Sequence, residues 1–323
     1  MNSRVLFPIT LLAAVWFCPF ASVAKGQQTP ATGGASKIQP DISSLQQKAR
    51  EGDPKAEYLL GWFYMTGTVV PQDYVEAAKW YRQAAAQGSS DAEFALGYLY
   101  EQGKGVARDY KQAAPYYTAA ATQGHPTAEN NLASMYEHGQ GLGKNLHEAA
   151  QWYRKAADQG EITAQCNLAS FYFRGRGVPQ SYSEAAAWFR AAGERGYAPA
   201  QENLAWMYYT GKGVTLDFSE AAKWVRRAAQ QGFARAQLDL GYLYEQGKGV
   251  SLDYVMAYTW YKAAAAGGEE RAGERLKSLS ALLTHEQITK ASAAAAQLSR
   301  SLPSTDGAAS PSPIGSPFFK RPR

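Results

Sequence analysis

Apolar residues in this chain fall in short stripes at helical period. Ala92, Leu96 and Tyr100 recur every fourth residue, which places them on one helix face. A glycine-rich stretch, Gly103-Lys104-Gly105-Val106, interrupts the stripe, and Asp109 opens a second one. The pattern predicts a helix, a turn and a second helix. It then returns in steps of 36, through Gly52, Gly88, Gly124, Gly160, Gly196, Gly232 and Gly268. Tyr64, Tyr100, Tyr136, Tyr172, Tyr208 and Tyr244 keep the same step, as do Ala77, Ala113, Ala149, Ala185, Ala221 and Ala257. So do Trp80, Tyr116, Trp152, Trp188, Trp224 and Trp260. The stretch LGYLYEQGKGV stands unchanged at Leu96–Val106 and Leu240–Val250, 144 positions apart, four periods of 36. A period of this size signals a solenoid. The expected fold is all-α: an α/α solenoid of six units, 53–88, 89–124, 125–160, 161–196, 197–232 and 233–268, with helical caps.

Punctuation supports the two-helix unit. Asp73, Asp109, Asn145, Ser181, Asp217 and Asp253 suit an N-cap, whose side-chain oxygen accepts orphan backbone N–H groups. Glu76, Gln112, Glu148, Glu184 and Glu220 follow three residues on, predicting a capping box that Met256 breaks in the sixth unit. The closing glycine fits the left-handed residue after a helix. Arg82, Arg154, Arg190, Arg226 and Lys262 lie near the second helix's C-terminus, where the dipole favours positive charge. Gly-Lys-Gly then reads as the turn between helices. A phosphate cradle would follow a strand, and the lysine column runs Thr68, Lys104, Gln140, Arg176, Lys212, Lys248.

The ends differ from the repeats. Arg4 precedes VLFPITLLAAVWFCPFASVA, which reads as a secretory signal peptide over 1–24 cleaved near Ala24. A retained signal anchor is the other reading. The protein is therefore expected to be periplasmic or secreted, or tethered to a membrane by an uncleaved anchor, with no span after cleavage. Cleavage would leave Cys166 as the only cysteine and no internal disulfide. Residues 25–40 read as a linker, 41–52 as a capping helix, 269–283 and 285–299 as two closing helices, and 300–323 as a disordered tail.

The units L-G-x-x-Y, G-x-G-V, D-x-x-x-A-x-x-W-Y and A-A-x-x-G stand here as Leu96-Gly97-x-x-Tyr100, Gly103-x-Gly105-Val106, Asp253-x-x-x-Ala257-x-x-Trp260-Tyr261 and Ala84-Ala85-x-x-Gly88. This pattern resembles the Sel1-like repeat family, a longer-period relative of tetratricopeptide repeats. The resemblance implies a right-handed superhelix with first helices on the concave face. It also implies a scaffold or adaptor, with exported bacterial members among its kin. One branch of that family carries a cysteine pair in each repeat and is linked to penicillin binding; this chain lacks those pairs. Two departures stand out. Val69 replaces the second turn glycine of the first unit, and Pro115 falls inside a second helix, where proline removes a hydrogen bond at a cost of roughly 3 kcal/mol or forces a kink.

Candidate chemistry is sparse. His147-Glu148-Ala149-Ala150-Gln151 is half of a zinc-protease motif, with glutamine where the second histidine is needed. No Ser-x-x-Lys occurs within the repeats, which argues against a serine acyl-enzyme. His125, His138, His147 and His285 occupy unrelated columns. No catalytic residue, cofactor or metal site is expected. A net charge of +5 is mild, and the one basic block is Lys320-Arg321-Pro322-Arg323, so nucleic acid is not an expected partner.

The expected partner is a protein or peptide. The variable columns of the first helix share a face by their i, i+3, i+7 spacing. Units one and two present Tyr58, Trp62, Phe94 and Tyr98 there, and units five and six present Trp206, Tyr209 and Tyr242. The middle is polar, with Asn130, Ser134 and Ser170. Aromatic clusters of this kind make good hot spots, if they face a groove; the alternative is that they pack on neighbouring helices as core. Asn131, Asn167 and Asn203 form a ladder that fits either peptide binding or scaffold. A structural or regulatory subunit of an envelope complex is the alternative function, and a penicillin-recognising hydrolase a distant one.

Overall fold

A computed structural model describes residues 42–301. The expected signal peptide, the linker and the tail from 302 onward lie outside the described residues. The described residues form fifteen helices and no strand. First helices of the repeats are α2 (Pro54–Thr66), α4 (Ser90–Gln102), α6 (Pro126–His138), α8 (Ile162–Arg174), α10 (Ala198–Thr210) and α12 (Ala234–Gln246). Second helices are α3 (Tyr74–Ala86), α5 (Tyr110–Thr122), α7 (Leu146–Asp158), α9 (Tyr182–Glu194), α11 (Phe218–Ala229) and α13 (Tyr254–Ala266). α1 (Ile42–Arg50) precedes them, and α14 (Arg271–Ser280) and α15 (His285–Ser301) close the array. Each repeat helix packs on the next in sequence, and both α14 and α15 pack on α13. This is the α/α solenoid that the 36-residue step predicts.

The caps form, but the predicted box is only half built. Asp73 Oδ1 accepts from Val75 N and Glu76 N at 2.9 and 3.0 Å. The returning arm from Glu76 is absent because Asp73 N–H donates instead to the Tyr64 carbonyl, at 2.9 Å. Asp109, Asn145, Ser181, Asp217 and Asp253 repeat this bond to Tyr100, Tyr136, Tyr172, Tyr208 and Tyr244, at 2.9–3.0 Å. The tyrosine column thus supplies a carbonyl that closes each helix–turn–helix. Met256 accordingly breaks nothing: its N–H still reaches Asp253 Oδ1 at 2.9 Å. A complete box stands at α15, where Thr284 N and Gln287 N exchange bonds with each other's side chains at 2.9 and 3.3 Å.

Two glycine positions fix the joints. Gly88, at φ 81°, closes α3, with Gly88 N on Ala85 O at 2.9 Å and Ser89 N on Ala84 O at 3.1 Å. These are the paired bonds of a left-handed helix stop. The second turn glycine has a different reason. A Cβ on Gly105 would lie 2.3 Å from the Tyr74 carbonyl of the preceding repeat. Gly141, Gly177, Gly213 and Gly249 meet Tyr110, Leu146, Tyr182 and Phe218 in the same way. Val69 is tolerated because α1 begins only at Ile42, so no preceding helix start lies against it among the described residues.

The core sits between the two helices of each repeat. Tyr81, Tyr117, Tyr153, Phe189, Val225 and Tyr261 are wholly buried. A Cβ on Gly61, Gly97 or Gly241 would lie 2.7 Å from the facing tyrosine ring, which explains the glycine of Leu-Gly-x-x-Tyr. The neighbouring tryptophan column is less central than its constancy suggests. Trp80, Tyr116, Trp152 and Trp188 are half-buried, and only Trp224 and Trp260 are buried. The arginines serve the next repeat as well as the helix dipole. Arg190 and Arg226 donate to the hydroxyls of Tyr208 and Tyr244 at 2.8 and 2.9 Å, and Arg154 does so to Tyr172. α5 runs on through Pro115. The bond that proline removes would join it to Lys111, and both residues are exposed, so water can satisfy the freed carbonyl.

Candidate functional site

The first-helix wall carries the sequence-predicted aromatics in two groups that stay apart. In repeats 1 and 2, Tyr58 and Trp62 are half-buried. Tyr58 lies 5.7 Å from the Tyr81 ring and Trp62 lies 5.3 Å from Phe63. Phe94 and Tyr98 are 8% and 6% exposed. Phe94 stacks on His125 at 4.7 Å and lies 5.9 Å from Tyr117. These two rings form the wall from within and offer a partner little area. In repeats 5 and 6, Trp206, Tyr209 and Tyr242 are all half-buried. Trp206 meets Phe173 edge-on at 5.2 Å, and Tyr209 lies 5.1 Å from Phe218. Burial and a hydrogen bond with Tyr209 push the Tyr242 phenol up.

Between the groups lies a polar waist with its own bonds. Asn130, Ser134 and Ser170 are buried, at 7–8% exposure. Asn167 Nδ2 donates to Asn130 Oδ1 at 3.1 Å, and Asn203 Nδ2 donates to the Pro199 carbonyl at 2.8 Å. Asn131 and Asn203 are buried. The asparagine ladder therefore spends amide groups inside the scaffold.

The wall also holds residues that were read from sequence only as a turn. Lys104 Nζ donates to Tyr98 Oη at 3.1 Å and lies 5.2 Å from that ring's centre. Lys212 Nζ lies 5.1, 5.3 and 6.0 Å from the rings of Trp206, Tyr182 and Phe173. Lys248 Nζ donates to Tyr209 Oη at 2.8 Å and lies 5.3 Å from the Phe218 ring. Such ammonium–ring contacts contribute about 0.5–1 kcal/mol at exposed sites. A signal for them was present: the three lysines occur in the units whose first helix carries Tyr98, Trp206 and Tyr242, whereas Ser134 and Ser170 go with Gln140 and Arg176.

One buried ionic group borders the wall at its C-terminal end. Glu202 is 3% exposed and lies 2.6 Å from Arg235 Nε, although the Arg235 N–H is not aimed along that line. Burial pushes its carboxyl up to about 7 against the pull of Arg235 and Arg271. Arg271 in turn pairs with Glu269 at 2.8 Å. The half protease motif is occupied otherwise: His147 is exposed, with Nε2 2.9 Å from Gln151 Nε2. Glu148 N–H donates to the Asn145 cap. Among the described residues no group of His, Cys, Asp and Glu could hold a metal ion, and no helix is long and apolar enough to cross a membrane.

Six consecutive stretches match the family model described as Sel1 repeat: residues 54–89, 90–125, 126–161, 162–197, 198–233 and 234–269. Together they make two thirds of the chain. The fold is similar to the crystal structure of a protective antigen of uropathogenic Escherichia coli, at 35% identity and a TM-score of 0.74. That match covers 80% of this chain and 56% of the antigen, so the chain spans little more than half of its length. It is also similar to a Sel1 repeat protein from Oxalobacter formigenes, at 31% identity and a TM-score of 0.63, over 69% of this chain and 89% of that one. No curated protein matches the chain.

Proposed function

The chain belongs to the Sel1 repeat family, whose members are generally protein-interaction scaffolds, and from that premise we propose a non-catalytic adaptor of the cell envelope. It binds a peptide or protein along the concave wall of first helices. The observation that carries this reading is the placement of Trp206, Tyr209 and Tyr242. They are half-exposed rings on consecutive first helices, steadied by Lys212 and Lys248. Rings that are rigid and partly exposed lose little entropy on binding. Tyr58 and Trp62 supply a second contact, with Phe94 and Tyr98 behind them as support.

The reading of the first 24 residues as an export signal supports an envelope location. A reporter fused after residue 40 that is active only in the cytoplasm would count against it. For the binding surface, Trp206→Ala with Tyr242→Ala should cost less than the about 3–5 kcal/mol of one buried-ring truncation, because both rings are only partly buried. The double variant should lose the partner that crosslinks to the unaltered protein in its native envelope. A collapse of melting on the scale of a core truncation, or an unchanged set of crosslinked partners, sinks the assignment.

A further inference from the structure

Charge on the wall of repeats 4–6 is not balanced locally. The carboxylates on and beside it face arginines: Glu137 of repeat 3 pairs with Arg176 at 2.7 Å, Glu202 with Arg235 at 2.6 Å and Glu269 with Arg271 at 2.8 Å, and the wholly buried Asp239 acts on Arg271. Glu245 accepts from Tyr261 Oη at 2.5 Å, with Arg275 at 3.5 Å. Lys212 and Lys248 form no ion pair among the described residues. They lie instead over aromatic rings, Lys212 exposed and Lys248 half-exposed. The rings hold the ammonium groups in place without neutralising them. Two preplaced positive charges therefore stand beside partly exposed rings, in a wall whose negative charges are already used.

We propose that this strip receives an acidic, extended segment of a protein partner, its carboxylates on Lys212 and Lys248 and its apolar side chains on Trp206 and Tyr242. The inference rests on the scaffold reading above and names the partner's chemistry. Trp206 and Tyr209, which seat the two lysines, stand three residues apart on α10, so their Cβ atoms are about 5–6 Å apart. Side chains at i and i+2 of an extended strand share a face and lie about 7 Å apart. Carboxylates at alternate positions of an extended segment can therefore both face this side of α10. Carboxylate–ammonium hydrogen bonds are the strong, charge-assisted kind. Single-stranded nucleic acid fits less well, because it needs open ring faces on which bases stack. Here Lys212 lies over Trp206 and Lys248 over Tyr209, so two of the three rings already have a face taken.

The test uses the whole chain and three fluorescent decapeptides: one with two glutamates at alternate positions among leucines and serines, and its twins with glutamine or lysine there. Anisotropy titrations at low salt should show the glutamate peptide binding at least about tenfold tighter than the glutamine one, with the gap closing as salt screens it. Lys212→Gln with Lys248→Gln should abolish the preference and lower melting by no more than a few degrees, the loss expected from the ring contacts alone. Arg190→Gln, on the latch to Tyr208, serves as a control that should keep it. Equal binding of the glutamine peptide, a preference that survives in the double lysine variant, or tighter competition by a single-stranded oligonucleotide would each overturn the inference. So would failure of all three peptides to bind, and the crosslinking experiment above would then still judge the scaffold reading independently.

Discussion

Repeats 2 and 3 and repeats 4 and 5 share one backbone and hold it together with different chemistry. In the former pair, buried Glu93 and Glu129 at the start of the first helix accept from Gln123 and Gln159 at 2.7 Å. In the latter, Gln165 and Gln201 occupy the same column and donate to the carbonyls of Ala157 and Gly193 at 3.2 and 2.9 Å. The joint inside each repeat differs likewise. Tyr117 and Tyr153 donate to Glu101 and Glu137 at 2.6 and 2.8 Å, whereas the corresponding positions of repeats 4 and 5 are Phe189 with Phe173 and Val225 with Tyr209. Much of repeats 4, 5 and 6 also shares one continuous core, while around repeats 2 and 3 the core is divided, α5 packing with α6 in one cluster and α7 with α8 in the next. The caps and glycines set the geometry. The side chains then change in matched pairs, polar with polar and apolar with apolar.

The largest test of this view removes the buried ring. Tyr153→Ala and Phe189→Ala should each cost about 3–5 kcal/mol in urea unfolding, because both fill the same joint. Trp152→Ala, on the half-buried outer column, should cost less than Tyr153→Ala; an equal or greater cost would restore the tryptophan column as the centre of the core. Next in size, Tyr117→Phe keeps the ring but strips Glu101, which is 3% exposed, of its phenol donor. That should cost about 1–3 kcal/mol. A cost near zero would mean that the pairing is incidental.

Titration separates the two regions further. Burial lifts the carboxyls of Glu93 and Glu129 above the ordinary range, and their glutamine donors offset this only in part. A raised folded-state value means that the native state holds the proton more tightly than the unfolded chain. Stability is thus penalised above that value and recovers as pH falls towards the unfolded carboxylate value of about 4.3. Glu93→Gln with Glu129→Gln should therefore raise melting at pH 7 by a few degrees and gain little near pH 4. Gln201→Glu should do the reverse, since its carboxylate would face the Gly193 carbonyl. A pH-independent difference between either variant and the parent would refute the account. The smallest effect expected is for Met256→Glu, within about ±0.5 kcal/mol, because the N–H that a sixth box would need is already held by Tyr244. A clear gain in melting would show that the box does close.

Reading by columns made the array legible but could not show what lies across it. Constancy of Tyr64 and its kin marked them as scaffold, yet their essential bond is a backbone carbonyl, which no side-chain pattern reports. Met65, Glu101, Glu137, Phe173, Tyr209 and Glu245 looked free to vary because they were read alone. Each stands sixteen positions before its partner in the second helix, and the pair varies together. Phe94 and Tyr98 stood open between groove and core because their two columns vary, and helix-to-helix packing buries them. The lysines of the turn escaped notice because glycine neighbours explained them too well.

Val69 gives the array a direction. At every later turn a glycine lets one repeat lie flush on the backbone of the one before it. A β-branched side chain at that point of the first repeat cannot accept such a neighbour. Head-to-tail addition of identical units does not close and runs on, and a further repeat seated in the same way would need glycine here. The first turn therefore differs in kind from the five that follow it: they are joints, and it is an end.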